Sequence, residues 1–172
     1  MEILENREEW KARFEEWWAN YQRTGTPDWK AYPLPRNSTA PSGPGVDLSQ
    51  SRLLFISSAG GYLRDEQPPF DAAHPLGDYS LRLFPVDTPL ERLAFSHDHY
   101  DHAAVEQDPQ VLVPLRHLEA MVDEGIIGAL APTVVGFMGY LPDVTRLVDE
   151  LIPAVLEAVR AETPDAVLLV PA

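Results

Sequence analysis

Three of the five histidines of the chain lie, with two aspartates, in the seven-residue segment Ser96–His102. An extended backbone would place His97 and His99 on one side, and a helical turn would place His99 and His102 on one face. Imidazoles beside carboxylates suit proton transfer near neutral pH, and they are also common ligands of divalent metals. We therefore predict that His97, His99, Asp101 and His102 are catalytic. A metal site formed by His97, His99 and His102 is the alternative.

The order of these residues matches HxHxDH, the metal signature of the metallo-β-lactamase superfamily. That superfamily also needs a metal-bridging carboxylate and further histidines downstream, whereas the only later histidine here is His117. The strand-rich sandwich expected upstream is missing as well. A metal-dependent enzyme therefore stays an alternative, as does a structural turn in which Asp and His side chains satisfy the loop backbone.

A second candidate site is the small-residue loop that follows the apolar run Arg52–Ser57. Open α/β sheets place ligands at the carboxyl ends of their strands, and glycines let backbone amides approach a carboxylate or phosphate. An arginine shortly after the loop can hold a carboxylate in a fork. The residues predicted to bind substrate are Ser57, Ser58, Gly60 and Arg64. A plain tight turn, with the arginine in a surface ion pair, is the alternative.

The chain divides by composition into three parts. Residues 1–24 are predicted to form an amphipathic helix, starting near residue 2, because their aromatic residues recur on one helical face. These residues are Trp10, Phe14, Trp17, Trp18 and Tyr21. Residues 25–50 are rich in proline, which predicts an extended linker. Residues 51–172 are predicted to form one α/β domain.

Periodicity within this last part predicts strands that alternate with helices. The predicted strands are Arg52–Ser57, Tyr79–Val86, Leu90–Ser96, Pro132–Tyr140 and Ala166–Val170, of which the first and the last two are predicted to be buried. The predicted helices are Pro114–Glu124 and Asp143–Glu162, with Asp143 as cap and a kink at Pro153. This order is typical of a three-layer α/β fold with a mostly parallel sheet covered on both faces.

Composition excludes several classes of partner. The formal net charge is −14, and phosphate binding needs concentrated Lys and Arg, so we expect neither nucleic acid nor an anionic membrane as partner. Without cysteine the chain as given forms no disulfide and no thiolate metal site. The first residues lack the apolar core of a signal peptide, and no run reaches the roughly 20 apolar residues of a membrane span. We therefore expect a cytoplasmic protein.

Several short segments, taken together and in order, are more specific than any one motif. They are Ile56–Arg64, Gln67–Phe70, Gly77–Ser80, Ser96–His102, Glu124–Gly128, Phe137–Pro142 and Asp165–Pro171. In that order they resemble the selenoprotein B subunits of glycine, sarcosine, betaine and D-proline reductases. The resemblance covers the chain from about Leu53 to its end.

The resemblance implies an oxidoreductase that reductively cleaves a C–N bond of a small amino acid or an N-methylated relative. In that family a selenolate or thiolate attacks the substrate, and a pyruvoyl group on a partner subunit can hold the substrate as a Schiff base. The resemblance therefore implies a partner subunit, or a homo-oligomer, and a thiol–disulfide couple as electron partner.

The family's selenocysteine or cysteine follows almost directly after the final strand, which is Val167–Pro171 here. The sequence given ends at Ala172, so it holds no evident group for the redox step. Three explanations stay open: a UGA codon read as stop, a trimmed chain, or a short relative that keeps a binding or metal role. A further alternative is a non-catalytic subunit that oligomerises or binds a partner through Trp17 and Trp18.

Overall fold

The fold is built on short strands and five α-helices within residues 3–172, the part of the chain that the computed structural model describes. The strands are β1 Arg52–Ser57, β2 Gly61–Leu63, β3 Arg82–Pro85, β4 Leu93–Phe95, β5 Ala129–Leu130, β6 Thr133–Gly136 and β7 Ala166–Val170. The helices are α1 Arg7–Thr24, α2 Ala103–Gln107, α3 Leu115–Asp123, α4 Val144–Arg146 and α5 Ile152–Glu162. None of these helices has both the length and the apolar character needed to cross a bilayer.

The main sheet is mixed but mostly parallel, which confirms the predicted α/β class. β1 pairs in parallel with β5, β6 and β7, and only β3 runs antiparallel, against β6. β7 pairs along most of β1, so β5 and β6 must follow one another on the opposite side of β1. β2 and β4 form a separate antiparallel ribbon, which the sequence did not predict.

β1 supplies side chains to both layers that cover the sheet. Leu53 and Phe55 point into the core shared with α3, whereas Leu54 and Ile56 pack toward α5. Side chains of a strand alternate between its faces, so a strand covered on both sides reads as a continuous apolar run. The apolar run of β1 therefore predicted its burial correctly.

The aromatic face of α1 packs inside the chain, as the spacing predicted. Trp10, Phe14 and Trp17 are buried, and they contact Val144 and neighbouring residues of the helix that starts there. The helix begins at Arg7 rather than near residue 2, and residues 1 and 2 of the predicted helix lie outside the described residues. The proline-rich segment is extended, with one short 3-10 turn at Leu48–Gln50.

Several strand predictions need correction. The segment predicted as the strand Tyr79–Val86 pairs only as β3, and the segment Leu90–Ser96 begins with a 3-10 turn before β4. β7 was predicted to be buried, which is wrong: Val167 and Leu169 are 47% and 53% exposed. Among the strands of residues 3–172, β7 pairs only with β1 and lies at the edge of the sheet, so alternate side chains stay uncovered.

The helix predicted for residues 143–162 is interrupted by a wide turn instead of a simple kink. The Asp143 side chain accepts from the amides of Thr145 and Arg146, which confirms the predicted cap. Between α4 and α5 the segment Leu147–Leu151 is π-helical, directly before Pro153. Proline has no amide hydrogen to continue the regular ladder, so the irregular turn falls where the ladder is already broken.

Candidate functional site

Three loops meet beyond the carboxyl ends of β1 and β6. They are Ser57–Gly61 after β1, His97–His102 after β4 and Phe137–Tyr140 after β6. The amide of Gly60 donates to the carbonyl of Phe137 at 2.9 Å, and the hydroxyl of Tyr100 donates to the carbonyl of Ala59 at 2.9 Å. The structure thus brings the histidine segment and the small-residue loop together at the end of a parallel sheet.

Gly60 is required by the contact between two of these loops. The pairing of Gly61 with Phe95 in the β2–β4 ribbon places Gly60 against the start of the histidine segment. Its φ is +70°, and a Cβ added at this position would overlap the carbonyl oxygen of Ser96. Only glycine fits such a left-handed and crowded position without strain. The sequence suggested that the backbone at the glycines of this loop closely approaches a ligand. At Gly60 the group that lies this close is the backbone of the neighbouring loop.

The hydroxyls of the two predicted serines are engaged inside the chain. Ser57 Oγ donates to the carbonyl of Leu112 at 3.0 Å, and Ser58 Oγ accepts from the amide of Ala172 at 2.9 Å. Both serines are buried. In the described residues their hydroxyls hold neighbouring segments in place, and their predicted contact with a substrate stays a prediction.

His97 is buried in a fixed tautomer. Its Nδ1 accepts from the backbone amide of His99 at 3.1 Å, so the neutral ring carries its proton on Nε2. Nε2 is itself buried and has no hydrogen-bond partner within residues 3–172. Burial lowers the pKa of His97 below its ordinary value, and the nearby His99 and His102 lower this pKa further.

His102 has a fixed orientation, and one nitrogen of its neutral ring is an acceptor that has no partner among residues 3–172. Its Nε2 lies 2.6 Å from the carbonyl oxygen of His97, and because a carbonyl only accepts, Nε2 is the donor. The neutral ring therefore keeps a lone pair on Nδ1. The ring stacks on Tyr100 with 4.5 Å between centroids, and burial raises the pKa of Tyr100 to about 12, so Tyr100 stays a donor.

The remaining two predicted catalytic residues lie further out. The ring of His99 is exposed and stacks on Tyr140, with 3.6 Å between centroids. The Asp101 side chain accepts from the amide of Ala103 at 2.9 Å, at the start of α2. Among residues 3–172 no group of three or more His, Asp or Glu side chains is placed to hold a metal ion. The predicted metal site therefore gains no support from this geometry.

Arg64 lies apart from the serines and lines an open cavity of about 460 Å³ that also contacts His102. Two acidic residues of the same cavity, Glu91 and Glu106, were not predicted as site residues. They come together with Arg64 only through the β2–β4 ribbon and α2. β4 lies within the predicted strand Leu90–Ser96, but β2 and α2 are too short for periodicity to reveal them, so the sequence carried no signal for this grouping.

Comparison with known proteins gives one relative. The chain is similar to the D-proline reductase subunit gamma of Acetoanaerobium sticklandii, at 31% identity over 123 residues. The matched part is 72% of this chain and 49% of that subunit, so the chain spans about half the length of the relative. No protein-family model and no solved structure matches the chain. The similarity supports, at a coarse level, the resemblance to the reductase subunits.

Proposed function

We propose that this chain is a selenoprotein B-type subunit of a reductase that cleaves a C–N bond in small amino acids. The observation that carries the proposal is the similarity to D-proline reductase subunit gamma over 72% of the chain. The meeting of the histidine segment with the loop after β1 supports it, because ligands of α/β sheets bind at this end. The proposed substrates are D-proline, glycine, sarcosine or betaine.

The chemistry requires groups that this chain does not supply alone. Reductive cleavage takes two electrons and two protons, one hydrogen for the carbon and one for the departing nitrogen. A selenol or thiol together with a second thiol gives the electrons and becomes a selenosulfide or disulfide. The sequence given contains no cysteine, so the proposal assigns the electrons to groups outside residues 1–172. A pyruvoyl-bearing partner subunit would hold the substrate.

The proposed contribution of this chain is proton transfer by His102. Its Nδ1 carries the free lone pair, and its ring lines the open cavity. His97 is sealed from solvent, so we assign it a positioning role through the carbonyl that orients His102. His99 and Asp101 would shape the surrounding surface. An imidazole nitrogen with a free lone pair can accept a proton and return it, which suits such transfer.

The test is reconstitution with the pyruvoyl-bearing subunit from the same genome. We expect a stable hetero-complex by light scattering and, with dithiothreitol as electron donor, an amine product from at least one proposed substrate. His102→Gln should lower product formation by about a hundredfold or more, since general acid–base catalysis contributes roughly that much. The exposed His117 is the matched control, and His117→Gln should leave the rate unchanged.

Two outcomes would contradict these expectations. Absence of both a complex and a product with all four substrates would contradict the proposed function. Equal rates for His102→Gln and His117→Gln would contradict the role of His102 and leave the subunit assignment standing.

A further inference from the structure

The cavity beside Arg64 is lined by both apolar and charged residues. Leu93 of β4 and Val105 of α2 form part of its lining and are themselves buried. Arg64, which follows β2, also lines the cavity, and so do the acidic residues Glu91 and Glu106. The cavity therefore offers one cationic group, two anionic groups and an apolar surface to the same ligand.

These charges are not consumed by ion pairs inside the described part of the chain. Within residues 3–172, Arg64, Glu91 and Glu106 make no salt bridge, and the guanidinium of Arg64 reaches only the carbonyl of Leu93 at 3.5 Å. Arg92, close by on the chain, does pair with Glu66. The cavity thus keeps both signs of charge available while a neighbouring arginine is neutralised.

His102, the residue directly before α2, and Glu106 within α2 lie on the same helical face. The amide of Glu106 donates to the carbonyl of His102 at 2.9 Å, so their side chains lie one helical turn apart. Because the Nε2 proton of His102 is committed to the carbonyl of His97, the neutral ring has only Nδ1 left, as an acceptor. A carboxylate and an imidazole lone pair side by side accept hydrogen bonds from an ammonium group.

We propose that this cavity binds a small zwitterionic amino acid that carries at least one N–H. Arg64 binds its carboxylate, Glu106 and His102 accept from its ammonium group, and its apolar body lies on Leu93 and Val105. That the ligand is an amino acid rests on the proposed function. The placement of its carboxylate at Arg64 and of its ammonium group at Glu106 rests on the residues that line the cavity. A quaternary ammonium has no N–H to donate, so betaine binds more weakly than sarcosine or proline.

The experiment is a titration of the full chain with D-proline, sarcosine and betaine, followed by ligand-observed NMR. We expect D-proline and sarcosine to bind more tightly than betaine. Arg64→Gln and Glu106→Gln should each weaken D-proline binding by about tenfold or more, because each removes a charge-assisted hydrogen bond. Circular dichroism should show unchanged folds, since both residues are exposed.

Arg160→Gln and Glu157→Gln are the matched controls, because both residues are exposed on α5, far along the chain from the cavity. They should leave D-proline binding unchanged. Binding that survives both Arg64→Gln and Glu106→Gln would overturn the cavity assignment, while the proposed function would stand with a site elsewhere. No binding of any of the three probes by the unaltered chain would overturn the cavity assignment, while the proposed function, in which the partner subunit holds the substrate, would be decided by the reconstitution.

Discussion

The molecule contains two aromatic clusters that differ in whether their ring nitrogens have hydrogen-bond partners. In the tryptophan cluster, Trp10, Phe14 and Trp17, both indole N–H groups donate to backbone carbonyls, at 2.6 Å and 2.8 Å. In the imidazole cluster, His97, His99, Tyr100 and His102, the Nε2 of His97 is buried without a partner within residues 3–172. Both indole N–H groups of the first cluster thus have a hydrogen-bond partner, whereas the second cluster keeps a buried ring nitrogen without one in this part of the chain.

The difference indicates what each cluster contributes. A buried polar group that finds its partner adds to stability, whereas a buried donor left unpaired costs about 1–3 kcal/mol. Proteins tend to retain such energetically unfavourable groups at functional sites. The tryptophan cluster is therefore assigned to stability. The imidazole cluster is assigned to chemistry, and the following substitutions test this contrast.

The largest effect is expected in the tryptophan cluster. Trp17→Ala should lower the free energy of unfolding by about 3–5 kcal/mol, because it removes a large buried side chain and leaves a cavity. Urea unfolding measures the change. Trp29, which is 49% exposed and contacts Trp17 with tilted rings, is the control, and Trp29→Ala should cost much less. Equal costs would show that the tryptophan cluster does not act as a core.

An intermediate effect is expected where the loop after β1 meets the imidazole cluster. Gly60 and Gly125 have nearly the same positive φ, +70° and +71°, but only Gly60 is crowded, by the carbonyl of Ser96. Gly125→Ala should therefore cost only the left-handed strain, about 1–2 kcal/mol. Gly60→Ala should cost clearly more by urea unfolding. Equal costs for the two variants would mean that the contact between the loops is not close.

The smallest effect is expected for His97 itself. His97→Gln should change the free energy of unfolding at pH 7 by less than about 1 kcal/mol, because the Gln carbonyl can still accept from the amide of His99 and the Gln NH2 replaces one buried donor without a partner by another. The role of His97 should instead be visible in the pH dependence of the free energy of unfolding. Burial lowers the folded-state pKa of His97 below the ordinary 6.5, so the unfolded chain binds a proton that the folded chain does not.

Stability should therefore fall as the pH drops from about 6.5 toward the lowered pKa, by at most about 1.4 kcal/mol per pH unit for one group. Urea unfolding between pH 7 and 5 measures this slope, which should flatten in His97→Gln and persist in His117→Gln. An unchanged slope in His97→Gln would show that another group titrates in this range.

The sequence predicted the parts of the fold whose pattern is local. The apolar run of β1 and the aromatic spacing of α1 are each contained in one element, so they were found. The exposure of β7 was missed because it depends on which strand occupies the sheet edge, and this is a property of the topology. The antiparallel direction of β3 was missed for the same reason.

The candidate site was predictable to a similar extent. Because the carboxyl ends of strands are the usual ligand side of α/β sheets, the loop after β1 could be singled out from the sequence. The grouping of Arg64 with Glu91 and Glu106 could not, because it depends on the pairing of β4 with the three-residue strand β2, which was not predicted. Such short strands carry too few positions to show a period of two.

The π-helical turn Leu147–Leu151 fixes the number of residues that this part of the protein can have. Before and within the turn, Val144, Leu147 and Val148 face the tryptophan cluster, and after it Val155 and Val159 face the sheet. One residue turns an α-helix by about 100°. A deletion or insertion of a single residue here would rotate one apolar face away from its partner, even if every remaining side chain kept its hydrophobicity. Homologous chains should therefore vary more freely in composition than in length between α4 and α5.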